Sequence, residues 1–295
     1  MALDSYTRLV FIGDSNSDNG NVLRMTQGTH PKPNTVYWRG RYSNGKTWTD
    51  ILEEKSNKPA LNLAHGCATI DNELVAGTAP MPNGRRAEIP SVLDQVAQLT
   101  VAKIDARDLV FIQVGSNDLN SVIDTGPTYN KKADFTPTVL AAKLRQVVEI
   151  LCLHGAHHVV VMNVRPREDY PGVIALKNPQ KLELSRSMTL ELNAAIDREI
   201  AHLQGALGRD YRVVVFDTHS FQKQITSNPA AFGIDPDWRT PVYTPPSDSL
   251  LFGDEQHQQP QLISPDTKLF VDSAHLARRA QELLADQVIN ALALE

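Results

Sequence analysis

Five short apolar runs most constrain what this chain can fold into. They span residues 8–12, 60–64, 109–114, 158–164 and 212–216. Four of them are rich in β-branched residues and alternate little between polar and apolar positions, which is typical of strands buried on both faces of a parallel sheet. The run at 60–64 is the weakest. No run approaches the roughly 18 apolar residues of a membrane-spanning helix.

Segments with apolar residues at helical spacing separate these runs. They cover residues 46–55, 89–104, 136–154, 179–207 and 274–292, and the fourth is long enough for one extended helix or two. Strands that alternate with helices predict a doubly wound α/β fold. We therefore expect a three-layer α/β/α, flavodoxin-like architecture around a five-stranded parallel sheet, with residues 1–295 forming a single domain.

Three stretches show neither pattern, at residues 120–135, 165–178 and 228–268. The last is rich in Pro, Asp, Gln and Ser, and it is long for a connection inside a compact domain. Loops of this length often serve as lids or binding loops. Residues 228–268 are therefore predicted to be a long irregular loop and a candidate lid.

Charge and cysteine usage exclude several classes of protein. The formal net charge is −5, so there is no basic excess to attract nucleic acid, which is not an expected partner. The two cysteines, Cys67 and Cys152, are too few for a disulfide framework. The first residues do not read as a signal peptide. We expect a cytoplasmic location, with secretion after removal of a signal peptide as the alternative.

Residues suited to catalysis follow the first three predicted strands at the point where each ends. In chain order the groups are Gly13-Asp14-Ser15, His65-Gly66-Cys67-Ala68 and Gly115-Ser116-Asn117-Asp118. Open α/β sheets bind ligands at the carboxyl ends of their strands, so these groups share one edge. Together they offer a hydroxyl, exposed backbone N–H groups and a side-chain amide, which acyl transfer requires.

A fourth group supplies a base for the hydroxyl of Ser15. His275 stands in Asp272-Ser273-Ala274-His275, just before the last predicted helix. A serine hydroxyl is a poor nucleophile until a neighbouring base takes its proton. Asp272, three residues earlier in the same turn, can orient the imidazole ring and stabilise its charged form. His219 is a competing candidate for the base.

These four groups, in this order, resemble the GDSL esterases and lipases, also called SGNH hydrolases. The resemblance starts at residue 8 and covers nearly the whole chain, with the segment from Trp38 to Gly45 as further support. It implies that Ser15 is the nucleophile, His275 the base and Asp272 its orienting partner. It also implies an oxyanion hole formed by the backbone N–H of Ser15, the amide of Asn117 and one backbone N–H of the second group. The choice between Gly66 and Cys67 is open, because the family commonly has Gly-Gly there.

The resemblance implies hydrolysis of acyl or acetyl esters through an acyl-Ser15 intermediate. The substrate is then a small-molecule ester or a lipid, and neither a metal nor an organic cofactor is needed. An acyltransferase that passes the acyl group to an alcohol is the alternative, and a non-catalytic binding protein on the same scaffold is a more distant one. Trp38 and His65 are candidate substrate contacts. His154, His157 and His158 are not expected to bind a metal, because no cysteine or acidic cluster joins them.

Overall fold

The fold is given by a computed structural model of the chain. It describes residues 3–32, 36–123, 127–243 and 267–293, without the side chains of residues 100–102. Most of the predicted lid, residues 244–266, lies outside these described residues. Of the predicted irregular loop, the described part contains a 3₁₀ turn at Pro229–Phe232.

The described residues form eight strands. They are β1 (Arg8–Gly13), β2 (Ala60–Asn62), β3 (Val75–Pro80), β4 (Arg86–Glu88), β5 (Asp108–Gln113), β6 (Tyr129–Lys131), β7 (His158–Met162) and β8 (Arg212–Phe216). Five of them make the main sheet, which is parallel throughout and has the order β2-β1-β5-β7-β8. This is the flavodoxin-like order, and its strand order reverses between β1 and β5. The predicted five-stranded parallel sheet is confirmed.

Nine helices lie within the described residues. They are α1 (Asn21–Met25), α2 (Trp48–Ser56), α3 (Val92–Ala102), α4 (Ser116–Ile123), α5 (Pro137–Leu153), α6 (Pro171–Ala175), α7 (Pro179–Ala206), α8 (Thr218–Ser227) and α9 (Arg278–Ala293). Short 3₁₀ turns occur at Leu3–Ser5, Trp38–Gly40 and Arg167–Asp169 as well. The long segment at 179–207 is one continuous helix, α7. Within the described residues, no helix is both long and apolar enough to cross a membrane.

Alternate side chains of the central strands enter two separate cores. In β1, Val10 and Ile12 pack with residues of α3, α5 and α7. Leu9 and Phe11 point to the other face and pack with α2, α8 and α9. Successive side chains of a strand point to opposite faces, so a strand covered on both sides must be apolar at every position. The predicted three-layer arrangement is confirmed.

A second sheet was not expected from the sequence. It is antiparallel, has the order β4-β3-β6 and is built from short strands. Strand β6 lies in the stretch 120–135, and α6 lies in the stretch 165–178, so both stretches predicted as irregular contain regular structure. This second sheet matters for the site, because β6 carries Tyr129.

Candidate active site

Ser15, His275 and Asp272 form one continuous hydrogen-bonded chain. The hydroxyl oxygen of Ser15 lies 2.8 Å from Nε2 of His275. On the other side of the ring, Nδ1 of His275 lies 2.6 Å from Oδ2 of Asp272. Because Oδ2 of the carboxylate accepts, Nδ1 carries a proton, and Nε2 is then free to accept the proton of Ser15. The three residues expected to form a triad are therefore brought together.

The end of β1 places Ser15 at the sheet edge. Gly13 has φ +149°, and a side chain there would come within 2.1 Å of the carbonyl oxygen of Gln113. Only glycine permits this close approach of β1 to β5. The backbone N–H of Asp14 then donates to the same Gln113 carbonyl, at 3.1 Å. The turn after β1 presents Ser15 beside the point where the strand order reverses.

Four donors hold the carboxylate of Asp272. Its Oδ1 accepts from the backbone N–H groups of Ala274 and His275, at 2.9 and 2.8 Å. Its Oδ2 accepts from the His275 ring and from the hydroxyl of Tyr37, at 2.6 Å each. Burial by itself raises the pKa of Asp272, but His275 and these hydrogen bonds outweigh burial and lower the pKa to about 2. The group is a fixed anion at neutral pH, as an orienting partner must be.

Of the two candidate backbone donors in the segment from His65 to Ala68, those of Gly66 and Cys67, only one is available. The N–H of Gly66 donates to Oδ2 of Asp18, at 2.8 Å, so it is already engaged. Within the described ranges, neither Cys67 nor Ser15 has a partner for its backbone N–H. A side chain at Gly66 would lie 2.3 Å from ring atoms of Tyr42. The geometry therefore leaves the N–H of Cys67 available at this position and requires glycine before it.

The thiol of Cys67 is packed in a small apolar cluster. Its neighbours in that cluster include Val22, Ala79 and Ile89. The residue is 1 % exposed, and burial raises the pKa of the thiol to about 12. Its backbone has φ +66°, an unusual value for a residue with a side chain. The thiol is therefore neutral and packed away in this cluster, which leaves the backbone N–H as the group that Cys67 can offer to the site.

Asn117 is held by hydrogen bonds at both ends of its side-chain amide. Its Nδ2 donates to the carbonyl oxygen of Ala68 at 2.8 Å, and its Oδ1 accepts from the hydroxyl of Tyr129 at 2.6 Å. An amide nitrogen has two hydrogens, so one remains to donate elsewhere. The carbonyl oxygen of Ala68 can only accept, so it fixes the nitrogen end of the amide, and the Tyr129 hydroxyl then holds the oxygen end by donating to it.

Asp118, the next residue of α4, holds the same loop two residues further along the chain. Its carboxylate accepts the backbone N–H of Ile70 at 3.1 and 3.3 Å. Burial raises the pKa of Asp118 to about 7. The first turn of α4 thus holds the backbone of residues 68–70 through hydrogen bonds of Asn117 and Asp118. These bonds also restrict the position of the adjacent backbone of Cys67.

The two candidate substrate contacts lie in different places. Nδ1 of His65 is 2.8 Å from the carbonyl oxygen of Leu63, and the ring is half-buried in the second catalytic group. Trp38 lies against the guanidinium groups of Arg39 and Arg41, whose centres are 4.9 and 5.1 Å from its ring. It lines an open groove of about 670 Å³ that includes none of the triad residues.

The other histidines do not join the site. No hydrogen bond between described residues links His219 to Ser15; the backbone N–H of His219 donates to Oδ1 of Asn163. His157 packs on Tyr211 and His158 packs on Tyr6, both at the end of the sheet opposite to the triad. In the described part of the chain, no group of three or more His, Cys, Asp or Glu side chains is arranged to hold a metal ion.

The side chains of Ser15 and His275 are almost completely buried by their neighbours. Ser15 is only 3 % exposed and His275 only 2 %. The ring of Tyr42 lies 5.0 Å from the His275 ring and is tilted by 36° to it, which covers one side of the base. Catalytic groups removed from water interact more strongly than exposed ones.

Sequence reasoning missed several residues around the triad. Tyr37 and Tyr42 lie in the segment around Trp38, which the sequence suggests only as a substrate contact or as core, and Tyr129 lies in a stretch predicted as irregular. Arg165 lies just beyond β7 at the same sheet edge. The sequence places candidate catalytic groups directly after each of the first three predicted strands. Arg165 directly follows the fourth, at residues 158–164, so the same reasoning points to it.

Comparison with known proteins gives consistent matches. The family model described as "GDSL-like Lipase/Acylhydrolase" matches residues 9–288. The thermolabile hemolysin of Vibrio parahaemolyticus serotype O3:K6 is 26% identical over 233 residues, which is 79% of this chain and 50% of that protein. The phosphatidylcholine-sterol acyltransferase of Aeromonas hydrophila is 32% identical over 122 residues, 39% of this chain and 33% of that protein. The chain thus spans half or less of the length of these curated relatives.

Solved structures share the fold over almost the full chain. An acetyl-xylooligosaccharide esterase variant from Geobacillus Stearmophilus superposes with a TM-score of 0.52 and 14% identity, covering 98% of this chain and 95% of that one. A lipolytic protein of the G-D-S-L family from Veillonella parvula gives a TM-score of 0.50 and 11% identity, covering 96% and 97%. At these identities the likeness concerns the fold.

Proposed function

Because the chain belongs to the GDSL-like lipase and acylhydrolase family, we propose that it is a carboxylic ester hydrolase with Ser15 as its nucleophile. The observation that carries the proposal is the uninterrupted chain from Ser15 through His275 to Asp272, with contacts of 2.8 and 2.6 Å. In this proposal residues 1–295 act as one hydrolase domain, and the substrate is an acyl or acetyl ester or a lipid.

The proposed reaction has two stages. The Oγ of Ser15 attacks the ester carbonyl carbon while Nε2 of His275 takes the hydroxyl proton, and the same proton is then given to the departing alcohol. Water, activated by His275, next hydrolyses the acyl-Ser15 ester and releases the carboxylic acid. Asp272 stays ionised throughout and stabilises the imidazolium ion that forms in each stage.

The negative oxygen of each tetrahedral intermediate needs donors that are already in place. We assign this role to the backbone N–H groups of Ser15 and Cys67 and to the side-chain amide of Asn117. The bond from Gly66 to Asp18 supports Cys67 over Gly66. Removing one such donor typically lowers turnover by about 10²–10³-fold.

The test compares wild type with Ser15→Ala on short-chain aryl esters. We expect the rate to fall by at least about 10³-fold, because loss of a nucleophile removes the covalent pathway. A fluorophosphonate should form one adduct, on Ser15, in wild type. Ser17→Ala is the matched control, since Ser17 lies two residues away but donates to Gln113 instead of to a base; this variant should still be labelled. Equal hydrolysis by the Ser15 variant, or labelling elsewhere, would refute the assignment.

Acyl transfer to an alcohol is a second candidate function. The similarity to a protein named phosphatidylcholine-sterol acyltransferase favours it. Product analysis with a competing alcohol separates the two functions. Hydrolysis predominates if the free acid is the main product, whereas transfer that greatly outpaces hydrolysis makes the protein an acyltransferase.

A further inference from the structure

Arg165 connects the loop of the nucleophile to the loop of the base. Its Nη2 donates to Oδ1 of Asn16 and to the carbonyl oxygen of Ala274, at 2.9 Å each. Asn16 directly follows Ser15, and Ala274 directly precedes His275. One nitrogen atom therefore bridges the chain neighbours of the two groups that exchange the proton.

The rest of the guanidinium group is held as firmly. Nη1 donates to Oε1 of Gln222 on α8 at 3.0 Å, and the guanidinium centre lies 4.9 Å from the ring of Tyr170. Arg165 is 4 % exposed. The guanidinium donates from two separate nitrogens and lies over a ring with its planar face, whereas the three N–H groups of lysine share one nitrogen that has no such face. The contacts call for arginine rather than for a positive charge alone.

Asn16 extends this connection to the other side of the nucleophile. Its Nδ2 and its backbone N–H donate to Oδ1 of Asp14, at 2.8 and 2.9 Å. Burial raises the pKa of Asp14, while the Asn16 hydrogen bonds and the charge of Arg165 oppose that rise. Between described residues, no carboxylate forms an ion pair with Arg165, so Asn16 is the link between this buried cation and the buried acid. Both neighbours of Ser15 belong to the same network.

We propose that Arg165 is a positioning residue that sets the separation between Ser15 and His275. The inference rests on the proposed function. The two groups that must meet at 2.8 Å lie 260 residues apart in sequence, and Arg165 joins their loops one residue away on each side. An error of about 1 Å in such a contact can lower the rate by about 10²-fold.

The experiment measures kcat and KM for wild type, Arg165→Lys and Arg165→Met on a short-chain aryl ester. Active sites are counted with a fluorophosphonate, so kcat refers only to folded, reactive enzyme. Arg8→Lys is the matched control: Arg8 pairs with Asp108 at the amino end of β1, away from the site. We expect both Arg165 variants to lose about 10–10²-fold in kcat per site, with KM changed by less than about 2-fold, and Arg8→Lys to keep its kcat.

Three results would decide against Arg165. A kcat per site like that of wild type in Arg165→Lys would show that the network is dispensable, and this variant carries the test if Arg165→Met does not fold. A change confined to KM would mean that the arginine contacts substrate instead. An equal kcat loss in Arg8→Lys would mean that general destabilisation is responsible. If wild type neither hydrolyses the ester nor labels on Ser15, it is the proposed function that fails.

Discussion

The buried carboxyl of Asp118 should make the stability of the protein depend on pH, and Asp118→Asn should remove that dependence. Asp118 is fully buried in the first turn of α4, and it accepts the backbone N–H of Ile70. Burial raises its pKa from 3.8 to about 7. Asparagine has nearly the same shape and retains an oxygen for Ile70, but it does not titrate.

The sign and size of the pH effect on the free energy of unfolding follow from proton linkage. Between pH 4 and pH 7 the native protein holds a proton on Asp118 that the unfolded chain has released. The free energy of unfolding therefore falls by about 1.4 kcal/mol per pH unit, or about 4 kcal/mol over the interval, as an upper bound. The stabilisation is fully present below the unfolded pKa of 3.8 and is lost as the pH rises through about 7.

Urea denaturation of both proteins from pH 4.5 to 8.5 tests this reasoning. The difference between them cancels most other titrating groups. We expect Asp118→Asn to gain up to about 3 kcal/mol on wild type between pH 4.5 and 7, and no more above that range. Asp210→Asn, which changes an exposed carboxyl, controls for the loss of a charge. A difference between wild type and Asp118→Asn that is constant with pH would refute the assignment of a raised pKa to Asp118.

Three further variants test the groups around the triad. Tyr129→Phe frees one end of the Asn117 amide, so kcat should fall by about 10-fold at constant KM, less than the roughly 10²–10³-fold expected for Asn117→Ala; unchanged kcat would contradict this. Tyr37→Phe removes a hydrogen-bond donor to the charged form of Asp272, so it should lower the free energy of unfolding by about 1.5–3 kcal/mol at pH 7. The loss should be smaller near pH 2, because native Asp272 takes up a proton there. Urea denaturation at both pH values measures this, and an equal loss at each would contradict it. Cys67→Gly keeps the backbone N–H and suits a positive φ, so kcat should stay within about 3-fold of wild type; a larger loss in steady-state assays would give the thiol a role.

The main sheet could be predicted because its sequence signal comes from burial. A strand covered on both faces has to be apolar throughout, and β1, β5, β7 and β8 all carry that pattern. The second sheet leaves no such pattern. Strands β4 and β6 have only three residues each, and β3 consists largely of small residues and ends in a proline. Strands β3 and β6 contact α4, and Gly77 of β3 lies against the backbone of Cys67; no local sequence pattern records such contacts.

The site divides in the same way. Ser15, Asp272 and His275 could be predicted because each stands in a short local motif. Tyr37 and Arg165 could not, because neither lies in a motif. Tyr37 reaches Asp272 across 235 residues, and Arg165 reaches Asn16 across 149. Long-range partners of this kind are fixed by the fold, and only the position of Arg165 after a strand hints at its place.

The separation of Ser15 and His275 along the chain also bears on how the protein is made. During synthesis Ser15 emerges before His275, which follows 260 residues later, at ribosomal rates of about 5–20 residues per second. Before α9 has been synthesised, α2 lacks the helix against which it packs, and the backbone N–H of Trp48 lacks its acceptor, the side-chain oxygen of Gln281. A nascent chain therefore holds an inert serine for at least about 13 seconds at the faster rate. If the proposed function holds, hydrolytic activity should appear in one step when α9 docks, so fluorophosphonate labelling of stalled chains would report that docking.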